Sequence, residues 1–181
     1  MKIINDQVQW LWDTNPNKYY RESKTVKSLI NAVNNSPLQR ARICLHEDPL
    51  RDSQCMLIAL SNKSYIPIHK HQNGNESYFL TSGKVKLILF NDFLEVVGIK
   101  SISADDKNER MNTPVVGVEK GVLHTLISES SISTFVEFRN SPQDLKDRYI
   151  DLRVNVTEIV ALKDLLSLQI GSYPNKIYFS Y

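Results

Sequence analysis

Three histidines and one glutamate carry the chemistry that this sequence offers. His69 and His71 flank one residue, Glu76 follows, Gly83 comes next, and His124 stands far downstream. The chain has only four histidines, and three of them fall in this set. Imidazole nitrogens and a carboxylate suit a divalent transition metal (Zn, Mn, Fe or Ni) and leave coordination positions for water or a substrate. Strand alternation puts residues i and i+2 on one face, so His69 and His71 point the same way. Asn73-Gly74 between strand-like runs is a hairpin signal. A two-residue turn there pairs Gln72 with Asn75 and sets His71 opposite Glu76, with Cβ atoms roughly 5 Å apart. The expected ligands are His69, His71, Glu76 and His124, holding one ion.

The spacing His-x-His-x4-Glu-x6-Gly resembles the first motif of the cupins, and His69, His71, Glu76 and Gly83 fill it without a gap. The second cupin motif is degenerate. Gly121 and His124 keep its Gly-x2-His centre, but Glu119 replaces the proline, Ser128 the asparagine and Thr113 the leading glycine, as Lys63 does that of the first motif. Proline and glycine before the third histidine normally fix the turn that aims it, so Glu119 puts that aim in question or adds an acid near the pocket. A closer resemblance, over about residues 1 to 145, is to the WbuC family of cupin-fold metalloproteins. It is carried by Arg40–His46, Gln54–Leu60, Ser64–His71, Glu76-Ser77, Gly83, Leu89–Asp92 and Gly117–Glu119. The resemblance implies an all-β cupin jelly roll (a double-stranded β-helix), a metal site, and a place in surface-polysaccharide (O-antigen, lipopolysaccharide) synthesis. It implies no particular reaction, and a homodimer is expected by analogy with cupins.

A second group of polar residues lies on Arg40–His46. Alternation puts Arg40, Arg42, Cys44 and His46 on one face and Ala41, Ile43 and Leu45 on the other. The planar guanidinium fork holds carboxylate or phosphate with two parallel hydrogen bonds. Arg42 and His46, with Arg40 behind them, are therefore the expected binding residues for a small anionic sugar. Tyr78, set opposite His69 by the hairpin register, is a candidate proton donor, and Glu76 and Tyr78 are the candidate catalytic pair. Lys70 alternates away from the ligands. A metal-dependent isomerase or epimerase acting on a sugar or nucleotide-sugar is the leading expectation. The alternatives are an Fe(II) dioxygenase and a non-catalytic sugar-binding or regulatory cupin.

Elements must position these groups. Val26, Leu29, Ile30 and Val33 form the apolar stripe of a short helix over Thr25–Asn34, stopped by Asn35-Ser36-Pro37. Strand-like runs follow at 41–46, 54–60, 64–69, 76–82, 84–90, 94–101, 114–119, 122–128 and 132–139, separated by turn residues. Residues 103 to 113 are the most polar stretch and read as a loop. The expected organisation is an N-terminal arm and helix (1–39), a cupin barrel (40–141), and a C-terminal helix and tail (142–181). That last part carries a helical stripe over Val156–Leu168 and an alternating end.

Bulk properties bound the rest. The chain has 181 residues, of which 41% are hydrophobic and 23% charged, with a formal net charge of +2. That is ordinary for a globular chain and too weak a charge to argue for nucleic acid or an anionic membrane surface. No stretch approaches the roughly 18 apolar residues of a membrane-spanning helix. The beginning lacks the apolar core of a secretory signal, and two cysteines imply no disulfide framework, so a cytoplasmic protein is expected.

Overall fold

The computed structural model describes residues 2–3, 9–11, 24–46, 50–104, 114–141 and 148–150. Twelve strands and one helix follow in chain order: β1 (Lys2–Ile3), β2 (Gln9–Leu11), α1 (Lys24–Asn35), β3 (Arg40–Cys44), β4 (Gln54–Ser61), β5 (Ile68–Lys70), β6 (Glu76–Ser82), β7 (Lys84–Phe90), β8 (Val96–Ser103), β9 (Val115–Val118), β10 (Leu123–Ser128), β11 (Ile132–Arg139) and β12 (Arg148–Ile150). They form a seven-stranded sheet in the order β1-β2-β3-β4-β11-β6-β9 and a five-stranded sheet in the order β12-β5-β10-β7-β8. Pairing is antiparallel except between β2 and β3. From β4 onward the chain passes back and forth between the two sheets, which is the double-stranded β-helix of a cupin jelly roll.

Binary patterning explains the sandwich. In β6, Glu76, Tyr78 and Leu80 are buried while Ser77, Phe79 and Thr81 are exposed, so one face turns inward at a period of two. Met56, Ile58, Leu60, Tyr78, Leu80, Val85, Leu87, Ile102, Val116, Leu126 and Phe135 meet between the sheets as one apolar cluster. A smaller cluster lies on the outer side, where Leu29 and Val33 of α1 cover Ala41, Ile43 and Ala59. The apolar set of β3 therefore packs under the helix, and its polar set faces the interior. Leu45, just past β3, does not join the apolar set and is 38% exposed.

Two expectations are corrected. Residues 71 to 76 do not form a hairpin, because β5 pairs with β10 and β12 in one sheet while β6 pairs with β11 and β9 in the other. The segment between them crosses from sheet to sheet, and Asn-Gly propensity yields to tertiary pairing. Gly74 is required there by close approach: a Cβ at this position would lie 2.5 Å from Cβ of Ser141 and 3.0 Å from Oδ1 of Asn140. The second correction follows directly: Tyr78 is not opposite His69, since its backbone partners are Val116 and Glu137. In the segment read as the C-terminal helix and tail, β12 is a strand beside β5. The helix over Val156–Leu168, the alternating end and most of the 103–113 loop lie outside the described residues. No helix among the described residues is long and apolar enough to cross a membrane.

Candidate metal centre and cavity

His69 and His124 are direct partners across the β5–β10 pair, with ring centroids 4.4 Å apart. His71 sits just beyond β5, its ring 5.0 Å from that of His69. Glu76 enters from the opposite sheet as the first residue of β6. The potential ligand atoms of His69, His71, Glu76 and His124 all lie within 4.8 Å of one another. All four expected ligands therefore converge, but through a sheet pair and a crossing rather than a hairpin.

The degenerate second motif does not misdirect His124. Gly121, at a φ of 81°, donates its amide to the carbonyl of His71 at 2.7 Å, and the Lys120 amide donates to the side chain of Asn75 at 2.9 Å. The turn before His124 is thus tied to the crossing that carries His71. With Gly121 kept, those bonds do what the missing proline would otherwise do. Glu119 itself is exposed and does not line the cavity.

The protonation pattern fits a cation. Nδ1 of His69 donates to the carbonyl of Pro67 and Nδ1 of His124 to that of Val122, each at 2.9 Å. Both rings then present Nε2 as a lone pair. Nε2 of His124 lies 3.0 Å from Oε2 of Glu76, and Nε2 of His71 lies 2.6 Å from Oε1. Each of these nitrogen–oxygen pairs needs a positive centre between its atoms, a proton or a metal ion. Burial raises the Glu76 carboxyl, but hydrogen bonding and charge from His124 and His71 outweigh it and hold it well below the usual carboxylate range. Burial and the neighbouring His124 push His69 down to about 3, so this ring is neutral. A neutral His69 beside an ionised Glu76, with His71 and His124 completing the set, supplies the nitrogen and oxygen donors that a transition metal takes.

Tyr78 supports the carboxylate. Its hydroxyl donates to Oε2 of Glu76 at 2.5 Å and lies 3.2 Å from Nε2 of His124. Burial and then the Glu76 charge raise this phenol well above its ordinary value, so it stays protonated as a donor. Lys70 points elsewhere and pairs with Asp92 at 3.3 Å.

A cavity of about 600 Å³ opens beside the cluster, within the range of small-molecule sites. His69, His71, Glu76 and Tyr78 line it together with Arg40, Arg42 and His46. The expected binding residues therefore share the cavity with three of the expected ligands. Arg40 also donates to the carbonyl of Tyr65 at 3.1 Å, and Nδ1 of His46 packs on the Cys55 peptide. Sequence reasoning missed Glu137 and Arg139, which line the same cavity from β11. The signal was present: Phe135, Glu137 and Arg139 alternate onto one face, and Phe135 is a core residue. In the register, Glu137 lies opposite Met56 and Tyr78, and Arg139 opposite Gln54 and Glu76. Arg139 is 6% exposed and donates through Nε to the Ser141 hydroxyl at 2.9 Å. Meanwhile Phe138 is turned outward and is half exposed.

The profile of a domain of unknown function, DUF6016, matches residues 22–100. No curated protein matches the sequence. Among solved structures, the chain is similar to an uncharacterized conserved protein with a double-stranded beta-helix domain from Klebsiella pneumoniae. Identity to it is 14%, the TM-score 0.45, and coverage 62% of this chain and 84% of that one. An oxalate oxidase in complex with the substrate analogue glycolate aligns at 13% identity and a TM-score of 0.48, covering 74% and 75%. KdgF from Halomonas sp. aligns at 12% identity and a TM-score of 0.44, covering 59% and 81%.

Proposed function

We propose that this cupin is a metal-dependent isomerase or epimerase acting on a small anionic hydroxy-carbonyl compound, of the sugar or nucleotide-sugar class. The observation that carries the reading is one cavity holding both the ligand cluster and a charged wall of Arg40, Arg42 and Arg139. The lining carries three guanidinium groups against two carboxyl groups, those of Glu76 and Glu137. An excess of positive charge in a confined, low-dielectric site attracts anions and orders their carboxylate or phosphate oxygens. His69, His71, Glu76 and His124 are the residues that would hold the ion, and a divalent metal there supplies Lewis-acid polarisation of a carbonyl oxygen. Tyr78 fixes the Glu76 carboxylate in place, and Arg42 orients the ligand's anionic group toward the cluster. The sugar itself, and a role in surface-polysaccharide synthesis, rest on the resemblance to the WbuC family.

The test uses the purified protein after elemental analysis, with oxalate as a planar dianion that mimics the two oxygens of an enediolate. Wild-type protein is expected to contain about one equivalent of a transition metal and to bind oxalate in calorimetry. Arg42→Ala should keep the metal and bind oxalate about 10-fold or more weakly, the scale of a lost charge-assisted hydrogen bond. A wild type that takes up none of Mn, Fe, Ni or Zn, or a metal-loaded protein that ignores oxalate, overturns the reading.

A further inference from the structure

The two acids of the cavity are not equivalent. Glu76 is held by His71, His124 and the Tyr78 hydroxyl, so its oxygens are committed to the cluster. The Tyr78 proton is committed to Glu76 in turn. Glu137 remains as the second carboxyl group among the described lining residues. It sits at the inward-facing position of β11 directly across from Tyr78, one strand from the ligand set. A charged side chain at such a position, where the strand's alternation calls for an apolar one, is costly unless it has a task.

Resting on the function proposed above, we infer that Glu137 is the residue that moves a proton on the bound hydroxy-carbonyl compound. Glu137 takes the proton from the carbon bearing the hydroxyl; the C–H electron pair becomes a C=C bond and the carbonyl π pair moves onto its oxygen, giving an enediolate. It then delivers that proton to the former carbonyl carbon, while the hydroxyl proton passes to the former carbonyl oxygen. No oxidant or second reactant is consumed, so the step is a one-base isomerisation. Arg42 on β3 and Arg139 on β11 flank Glu137 electrostatically, with Glu76, His71 and Tyr78 on the metal side. Burial, and then the charge of Glu76, raise the Glu137 carboxyl to about 8 against the pull of Arg42, His71 and Arg139.

The test reads proton linkage rather than turnover. Metal-loaded wild type, Glu137→Gln and Glu137→Asp are titrated with oxalate in buffers of different ionisation enthalpy from about pH 6 to about pH 9, which gives protons taken up per ligand bound. Wild type is expected to take up a fraction of a proton, because a dianion beside Glu137 favours its protonated form. Glu137→Gln should lose that uptake with metal content unchanged, and Glu137→Asp should restore it. Equal uptake in wild type and Glu137→Gln, or none in wild type, overturns the role of Glu137 while leaving the function standing. Failure of metal-loaded wild type to bind oxalate overturns both together.

Discussion

At the scale of single residues, the centre depends on which atoms are fixed before any ion arrives. His69 and His124 are each locked by a backbone carbonyl at Nδ1, and Glu76 by the Tyr78 hydroxyl. Such outer partners orient ligands and tune their basicity, and losing one typically costs about 10- to 100-fold in metal affinity. Tyr78→Phe should therefore weaken metal binding by that factor while the protein stays folded, as competition with a chelator would measure. An unchanged affinity would mean that the phenol is only core. The ligands were legible because His-x-His and Glu are spaced in a recognisable way. Tyr78 was legible only as an inward residue; its bond to Glu76 depends on both lying on the buried face of β6, two residues apart. Glu137 and Arg139 went unread because a charged pair late in a strand looks like an ordinary solvated face. Their alternation with Phe135 carried the signal, and the register against Tyr78 and Glu76 shows that this face is the interior.

At the scale of elements, most strands could be read from alternation and turn chemistry, and α1 from its apolar stripe. Partner choice could not. Gln72–Asn75 has the chemistry of a tight turn, yet it joins strands of opposite sheets. Local propensity is worth at most about a kilocalorie per residue and gives way to the pairing of whole strands. The crossing is held by Asn75, whose backbone amide donates to Oδ1 of Asn140 at 2.7 Å and whose own side chain accepts from the Lys120 amide. It is also held by the His71 carbonyl, which accepts from Gly121. Gly74 lets this segment lie against Ser141. Gly74→Val should push the crossing outward at a cost of about 1–3 kcal/mol, typical of overpacking. Because the same segment carries His71 and anchors the turn before His124, metal affinity should fall along with the melting temperature. A variant that loses stability but binds metal as tightly as wild type would show that the crossing does not aim the ligands.

At the scale of the whole molecule, the buried ionisable groups set a pH profile for the metal-free protein. His69 titrates near 6.5 in an unfolded chain and is pushed down to about 3 by burial in the fold. Between those values the unfolded state binds the extra proton, so stability falls as pH drops from about 6.5 toward 3. Glu76, held low, acts in the same direction: its contribution is present above its ordinary carboxylate value and is lost as pH falls below it. Glu137 acts oppositely. Its carboxyl is raised to about 8, so between about 4.5 and 8 the folded state holds a proton that the unfolded chain has released, and stability falls as pH rises. The His69 and Glu137 slopes cancel between about 4.5 and 6.5, leaving a plateau with an acid limb below it and an alkaline limb reaching to about pH 8. Thermal melts of chelator-treated protein across this range should show that shape, and Glu137→Gln should remove the alkaline limb and let the acid limb run uncancelled up to about pH 6.5. Added metal should lift the curve most at high pH, because its ligands must be deprotonated to bind it. A melting temperature of the metal-free protein that stays level from about pH 6.5 to 8 would mean that Glu137 is ionised in the fold, and the interior would then carry its charge openly toward the ligand.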